Sequence, residues 1–295
     1  MKKKKEMSLN TLYRIFVYVV LLALAISIIV PVAWVFLASI KENSEFYGTN
    51  PWALPKGFYF QNFIDAFEKA KMGEYLLNSV KITAMALIIL LVVALPAAYV
   101  LARYRFKGSK ILNVLFMGGL FINVNYIVVP IFLMLNQGDQ FVRKITGASF
   151  FLNNSFITAL VYASTALPFT IYLLSGFFVT IPKDYEEAAH VDGAGYFRTM
   201  IQIMMPMALP SIITVILFNF LSFWNEYIIA MTLLTKDESK TLPVGLMQLT
   251  QAQRAAANYG RLYAGLVVVM LPTLILYILV QKKLTQGMSL GGLKG

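Results

Sequence analysis

Long uncharged stretches alternate with short polar segments along the whole chain. Six of these stretches reach the roughly 20 apolar residues that a helix needs to cross the hydrocarbon core of a bilayer. They are Ile15–Ile40, Ile82–Ala102, Ile111–Gly138, Ile145–Pro182, Thr199–Asn225 and Leu262–Gln281. Backbone in lipid must satisfy its own hydrogen bonds, and the ten-residue alternating stretches of a β-barrel are absent, so the pattern predicts helices. We expect an all-α, polytopic membrane protein with six transmembrane helices.

The predicted spans lie at about residues 15–40, 82–102, 114–135, 156–180, 209–233 and 262–281. Residues 15–281 form one membrane domain, preceded by a basic N-terminal tail (1–14) and followed by a C-terminal tail (282–295). The first stretch is far longer than the apolar core of a signal peptide, so we expect it to be retained as a span. Helical spacing of apolar positions also predicts surface helices at Gln61–Lys71 and near Leu246–Ala257.

The charged residues are few and mostly basic. They make up 13% of the chain and carry a net charge of +11, whereas soluble domains have about 25% charged residues. A soluble enzyme is therefore excluded, and the expected partner is a lipid bilayer rather than a nucleic acid. Clusters at Lys2–Lys5 and Arg103–Lys110 lie next to helix ends, so the positive-inside rule predicts that both termini are cytoplasmic.

The chain has no cysteine and only one histidine, His190. Disulfides, thiol nucleophiles and zinc or iron-sulfur sites of the usual kinds are thereby excluded. We therefore expect no metal site and no redox chemistry. The sequence also contains no G-x-x-x-x-G-K-[ST] loop, so any nucleotide hydrolysis must come from a separate chain.

The loop between the fourth and fifth spans, residues 183–206, reads as a short helix, a glycine turn and a second helix. Asp184 and Glu187 have the spacing of a capping box, and the two alanines after Glu187 leave a narrow helix face for close packing of a partner. Gly193 permits a positive φ and ends the first helix. Pro206 marks the point where the second helix meets the fifth span. We expect the two helices and the turn to form a rigid bend, and we call this segment, residues 183–206, the elbow.

This loop resembles the cytoplasmic motif of the membrane subunits of binding-protein-dependent ABC importers: Glu-Ala-Ala, three residues, Gly, nine residues, then Ile-x-Leu-Pro. The spacing matches throughout, and only Met205 departs from the pattern by replacing leucine, a volume-conserving change. The resemblance implies that the elbow docks on an ATPase subunit. It also implies that this chain is not an enzyme, with no catalytic residue and no bound cofactor. The residues implied in this coupling are Glu186, Glu187, Ala188, Ala189, Asp192, Gly193, Ile203 and Pro206.

Other segments are similar to the carbohydrate branch of this family, the MalG-like permeases. They are Pro96–Arg103, Phe223–Tyr227, Thr241–Leu246 and the glycine-rich ending Gly291–Gly295. The resemblance implies the type I ABC importer permease arrangement in a bacterial plasma (inner) membrane. It further implies a heterodimer with a homologous second permease, two ATP-binding subunits that hold Mg-ATP, and an extracellular or periplasmic binding protein that delivers a sugar or oligosaccharide.

Polar residues inside the apolar stretches are candidates for a substrate pathway. Glu226 is the one acid at the edge of such a stretch, and intramembrane acids are functional candidates. Helical spacing places Asn219, Ser222 and Asn225 on one stripe, which could bind sugar hydroxyls or simply join two helices. The full set of candidates is Asn219, Ser222, Trp224, Asn225 and Glu226 in the fifth span, and Asn123 and Asn125 in the third.

The predicted surface helix near residues 246–257 offers Gln248, Gln251 and Arg254 as contacts for the external binding protein; the alternative is a plain surface helix.

Two alternative functions of the whole protein also remain. One is a permease for a different small solute, since the coupling motif is shared. The other is an ion-coupled secondary transporter, although Glu226 is nearly the only buried charge that the chain offers for it.

Overall fold

The computed structural model describes residues 2–48, 50, 52–253 and 258–291, and within these ranges every regular element is helical. The α-helices are α1 (Lys2–Ser39), α2 (Gln61–Glu68), α3 (Met72–Arg103), α4 (Ser109–Gly119), α5 (Val124–Thr146), α6 (Ser155–Thr180), α7 (Asp184–Val191), α8 (Tyr196–Thr199), α9 (Met205–Met207), α10 (Leu209–Trp224), α11 (Ile228–Leu233), α12 (Leu242–Gln253) and α13 (Tyr259–Gly291). A π-helix covers Met200–Met204, and 3-10 turns cover Asn43–Tyr47 and Asp237–Ser239.

Among the described residues, four helical segments are long and apolar enough to cross a membrane: Thr11–Ser39, Met72–Arg103, Ser155–Thr180 and Tyr259–Gln281. Two bent pairs, Ser109–Gly119 with Val124–Thr146 and Tyr196–Met207 with Leu209–Trp224, raise the number to six if each pair is one span. The expected all-α, polytopic fold is confirmed. Helices α1 and α13 also extend into the predicted tails, to Lys2 and Gly291.

The third predicted span, residues 114–135, is wrong as a single helix. Helix α4 ends at Gly119, α5 begins at Val124, and the two axes differ by 104°. Asn123 caps the second helix, because its Oδ1 accepts a hydrogen bond from the backbone N of Asn125 at 2.9 Å. The chain between the two helices turns through backbone hydrogen bonds of the i to i+3 type, such as Phe121 N to Gly118 O.

Helix α5 continues beyond the predicted end of the third span at residue 135 and ends at Thr146. Asp139 explains the extension. Its carboxylate is buried and accepts hydrogen bonds from the backbone N of Phe150 and of Phe151, both at 2.7 Å, and from the Ser149 hydroxyl. The charge therefore fastens the following loop to α5 instead of facing solvent.

The fifth predicted span, residues 209–233, is interrupted. Helix α10 ends at Trp224, and α11 begins at Ile228. At the other end of α10 a 75° bend separates it from the segment Tyr196–Met207, so the turn lies at Ala208 rather than at Pro206. The remaining ranges, 82–102, 156–180 and 262–281, each fall inside one continuous helix, and 15–40 passes the end of α1 by one residue.

The chain divides into two compact units: Met1–Ala70 with Gln248–Val268, and Lys71–Met247 with Val269–Gly295. In the larger unit, α3 and α6 pack against each other. Both contribute small side chains to a buried core, and small residues let helix backbones approach closely. These core alanines are Ala86, Ala94 and Ala98 from α3 and Ala159 and Ala163 from α6.

The smaller unit is organised around the end of α1. The Nδ2 of Asn62 on α2 donates hydrogen bonds to the carbonyl oxygens of Ser39 (2.9 Å) and Lys41 (2.7 Å). Lys41 is buried with its Nζ 4.1 Å from the ring centroid of Trp34, and this burial lowers the pKa of the ammonium group. The predicted surface helix at 61–71 is observed as the shorter α2, which ends at Glu68.

Candidate functional site

The elbow between α6 and α10 is built as the sequence pattern predicts, from α7, a glycine turn and α8. Gly193 has a φ of +76°. Its backbone N donates to His190 O at 3.0 Å, and the N of Ala194 donates to Ala189 O at 2.8 Å. These two bonds are the pair that defines a Schellman motif, in which the residue after the C-cap takes the left-handed conformation. Gly193 therefore fixes the angle between α7 and α8.

Two details of the predicted elbow are wrong. The N-cap of α7 is Lys183, whose side chain makes no capping hydrogen bond, so Asp184 and Glu187 form no capping box. The predicted two-alanine face does not exist either, because Ala189 is 3% exposed and packs inward while Ala188 faces outward. Glu187 is exposed on the first turn of α7, so its carboxylate is available to a partner.

Arg103, the last residue of α3, joins three elements at the base of the elbow. Its guanidinium forms a 2.6 Å ion pair with Glu186 on α7, and its Nε donates to the same carboxylate oxygen at 2.8 Å. Its Nη1 donates to the carbonyl oxygen of Ile181 at 2.8 Å, just beyond the end of α6. The Arg103 side chain is only 4% exposed. Charge-assisted bonds from a fixed planar group at this level of burial hold α3, α6 and α7 together.

Two tyrosines complete this cluster, which we call the Arg103 clamp (Tyr99, Arg103, Tyr104, Glu186). The Tyr99 hydroxyl lies 2.7 Å from Glu186 Oε1, to which it donates, and 3.1 Å from the Tyr104 hydroxyl. Sequence reasoning named Glu186 but counted Arg103 only as a topology charge. The sequence did offer a signal for this ion pair: a basic residue ends one span, and an acid follows the end of another. Nothing in the sequence, however, indicates that these two helix ends lie next to each other.

The surface of the elbow carries large apolar side chains on both sides of the glycine turn. Val191 is 88% exposed, Tyr196 is 66% exposed and Phe197 is 77% exposed. The ring of His190 packs edge-on against Tyr196, and its Nδ1 lies 2.9 Å from the carbonyl oxygen of Glu186, so the histidine has a packing role. A group of exposed apolar side chains rimmed by acids is typical of a protein interaction surface.

The exit from the elbow passes through the π-helix Met200–Met204, where Ile203 is half-buried. Pro206 is the physical reason for this irregular turn. It has no backbone N–H to bond to Gln202 O, and its ring displaces that carbonyl, so Met205 N bonds to Met200 O in the wider π pattern. Ile203 and Pro206 thus lie on the segment that leads from the elbow to the bend at Ala208.

The polar candidates of the fifth span differ in their environment, because some are buried between helices and others are exposed. Asn219 is 3% exposed, and its Nδ2 donates to Thr170 Oγ1 on α6 at 3.0 Å, which is the helix-joining alternative. Trp224 is 2% exposed, and its Nε1 donates to Val269 O at 3.0 Å, so its ring is not open to stack on a sugar. Ser222 and Asn225 remain exposed.

Glu226 lies in the gap between α10 and α11 and caps the second helix. Its two carboxylate oxygens accept hydrogen bonds from the backbone N of Ile229 (2.8 Å) and of Ala230 (3.0 Å). Both bonds satisfy amides that have no partner inside α11. In the third span, Asn123 and Asn125 are exposed at the start of α5, with Asn123 acting as the cap described above.

On α12, Gln248 and Gln251 are exposed, whereas Arg254 lies outside the described residues. The observed helix begins four residues earlier than the predicted one, at Leu242. In the larger unit its first turns are fixed to α3, because Leu242 N donates to Ser79 Oγ at 2.8 Å and Gly245 is so close to Tyr75 that an added Cβ would lie 2.1 Å from the ring.

Comparisons with known proteins define the class. Residues 94–289 match the model of the family described as the binding-protein-dependent transport system inner membrane component. The chain is 34% identical to the diacetylchitobiose uptake system permease protein NgcG of Streptomyces coelicolor over 274 residues, which cover 93% of this chain and 87% of that protein. It is 28% identical to the galactooligosaccharides transport system permease protein GanQ of Bacillus subtilis over 292 residues, with 95% of each chain covered.

A solved structure supports the same fold. One chain of a bacterial ABC transporter involved in the import of the acidic polysaccharide alginate aligns with a TM-score of 0.77 and 23% identity, covering 92% of this chain and 96% of that one. The chain therefore belongs to the binding-protein-dependent transport system inner membrane component family. The resemblance that the coupling motif indicated is confirmed, and the protein is a multi-pass membrane component of a transport system.

Proposed function

We propose that this protein is one of two homologous permease subunits of an ATP-driven importer for a sugar or oligosaccharide. A carbohydrate substrate is supported by the two relatives described above, whose names refer to diacetylchitobiose and to galactooligosaccharides. The substrate arrives on an external binding protein, and two partner ATPase subunits bind Mg-ATP. The permease itself performs no chemistry and binds no cofactor.

The observation that carries this proposal is the exposed apolar surface of the elbow. Val191 and Phe197 are 88% and 77% exposed on a segment that the glycine turn holds rigid. We infer that a groove on the ATPase covers these side chains and that Glu187 pairs with a basic residue of that subunit. The elbow lies on the cytoplasmic side in this arrangement, together with both termini.

The Arg103 clamp gives this docking a mechanical consequence. A force that moves α7 acts directly on the ends of α3 and α6, because Arg103 bonds to Glu186 and to the carbonyl of Ile181. Those two helices pack against each other in the core of the larger unit, so they move as one body. Rocking of this body against the second permease would expose the pathway first to one side and then to the other.

Substrate contacts in this scheme come from the polar side chains that the structure leaves open. Ser222 and Asn225 at the end of α10 and Asn123 and Asn125 at the start of α5 are exposed and next to breaks in their spans. Irregular backbone at membrane depth is tolerated where it lines a cavity. Gln248 and Gln251 on α12 are the proposed contacts of the binding protein.

The test uses two equally exposed phenylalanines. Phe197 on α8 and Phe58 before α2 are each 77% exposed. Phe197→Asp places a charge in the proposed ATPase contact, so we expect the ATPase subunit to be lost on affinity purification of the membrane complex and uptake of labelled oligosaccharide to cease. Phe58→Asp should keep the ATPase bound. Retention of the ATPase and of uptake by Phe197→Asp would overturn the docking proposal.

A further inference from the structure

A basic cavity lies beside the elbow, in the larger unit. It has a volume of about 920 Å³ and is bounded by the end of α3, the start of α4 and the end of α6. Arg103, Arg105, Lys110 and Lys183 line it, and no acid does so among the residues that the structure describes. Lys183 directly precedes α7, so the cavity opens on the same side of the membrane as the elbow.

The charges in this wall are not neutralised by the protein. The charge of Arg103 is compensated by its ion pair with Glu186. Arg105, Lys110 and Lys183 form no ion pair with any other part of the chain that the structure describes, and all three are exposed. Several like charges converging on one cavity repel each other unless an anion occupies it.

Aliphatic side chains are exposed next to the cavity, and two of them, Ile111 and Val179, line it. Ile111, Val114 and Leu115 occupy one face of α4 at helical spacing and are 67%, 67% and 64% exposed. Val179, near the end of α6, is 62% exposed. This combination fits an anionic lipid. The basic residues can bind its head group, and the exposed aliphatic side chains beside them can contact its acyl chains. An acidic protein loop would satisfy only the first part.

We propose that this cavity binds the phosphate head group of an anionic phospholipid from the leaflet on the elbow side, with its acyl chains lying along α4. The inference needs only that the chain spans a membrane, so it stands apart from the proposed sugar import. Bound lipid would neutralise the charges next to Arg103 and fasten the α3–α4 connection to the bilayer surface.

The experiment is photocrosslinking of the full-length chain in nanodiscs of phosphatidylcholine that contain a photoactivatable phosphatidylglycerol. We expect crosslinked peptides to concentrate in residues 101–113 and 179–183 and to be competed by unlabelled phosphatidylglycerol but not by phosphatidylcholine. Each basic residue near an anionic lipid contributes about fivefold in affinity. The triple variant Arg105→Gln/Lys110→Gln/Lys183→Gln should therefore reduce crosslinking of these peptides by at least about tenfold.

Lys107 provides the matched control, because it lies in the same connection and is exposed but does not line the cavity. Lys107→Gln should leave the crosslinks unchanged. Crosslinks spread evenly along the chain, or an equal loss in Lys107→Gln, would overturn the proposal. Equal competition by inorganic phosphate would assign the cavity to a free anion rather than a lipid, and would overturn it too. If the triple variant does not fold, the exposed single variant Lys110→Gln must still show a loss of about fivefold.

Discussion

At the scale of single residues, the elbow contains two glycines with different constraints. Gly193 has a φ of +76°, whereas Gly195 has a φ of −72°, and an added Cβ would meet nothing within 4 Å at either position. Gly193→Ala should therefore cost about 1 kcal/mol through backbone strain alone, and Gly195→Ala should cost nothing measurable. Thermal unfolding of the purified protein checks this. Equal melting temperatures for the two variants would show that the positive φ carries no strain.

The Arg103–Glu186 pair allows a double-mutant cycle in the same region. Both side chains are largely buried, so we expect a coupling energy of about 1–3 kcal/mol between Arg103→Met and Glu186→Gln. The exposed pair Arg198 and Gln202, joined by a 2.9 Å hydrogen bond, is the control and should couple by less than about 0.5 kcal/mol. Unfolding of each single and double variant in detergent gives both values. A near-zero coupling for the first pair would remove the clamp as a mechanical link.

Residue-scale prediction from sequence succeeded where a motif specifies a backbone conformation and failed where two distant residues had to be paired. Gly193 was identified because the spacing of the motif and the need for a positive φ agree. The partnership of Arg103 with Glu186 depends on the packing of α3 against α6, which no local pattern contains. The inward orientation of Ala189 depends on the packing of α7 against α8 and the π-helix.

At the scale of elements, the sequence gives the number of apolar segments but not their breaks. Helix ends inside a long apolar stretch cannot be recognised from the sequence pattern, because lipid-facing and core-facing positions are both apolar. The signals at the two breaks were small: Gly118, Gly119 and the capping Asn123 in one case, and Asn225 with Glu226 in the other. Each break is stabilised by a side chain that satisfies the exposed amides of the next helix.

Glu226, which caps α11, has two possible roles: it stabilises the start of that helix, or it couples transport to an ion. A substitution distinguishes them. As a cap, Glu226 needs only its oxygen acceptors, and Glu226→Gln keeps one of them. We expect this variant to retain most oligosaccharide uptake, with an unchanged dependence on external pH, whereas Glu226→Ala should lose about 1 kcal/mol of stability through the uncapped α11. Loss of uptake in the Gln variant, together with collapse of wild-type uptake when the proton gradient is dissipated, would instead support ion coupling.

At the scale of the whole molecule, the Arg103 clamp bears on whether the chain crosses the membrane between α3 and α6. Arg103 ends α3 and bonds to Glu186 and Ile181, which follow the end of α6. Both helices therefore end on the same side. The chain must cross once between them, so the bent pair α4 and α5 is one span rather than a re-entrant loop. If the second bent pair, Tyr196–Met207 with Leu209–Trp224, is also one span, the chain crosses six times. We then predict that the elbow lies on the same side as both termini.

Cysteine labelling tests this count directly, because the chain has no cysteine of its own. Ser44, after the first span, and His190, in the elbow, are both exposed. Six crossings place them on opposite sides, so a membrane-impermeant maleimide should label Ser44→Cys in right-side-out vesicles and His190→Cys only after permeabilisation. A re-entrant α4–α5 would put both on one side and give equal labelling. In that case the elbow could not reach a cytoplasmic ATPase, since the positive-inside rule predicts Lys2–Lys5 in the cytoplasm and therefore Ser44 outside.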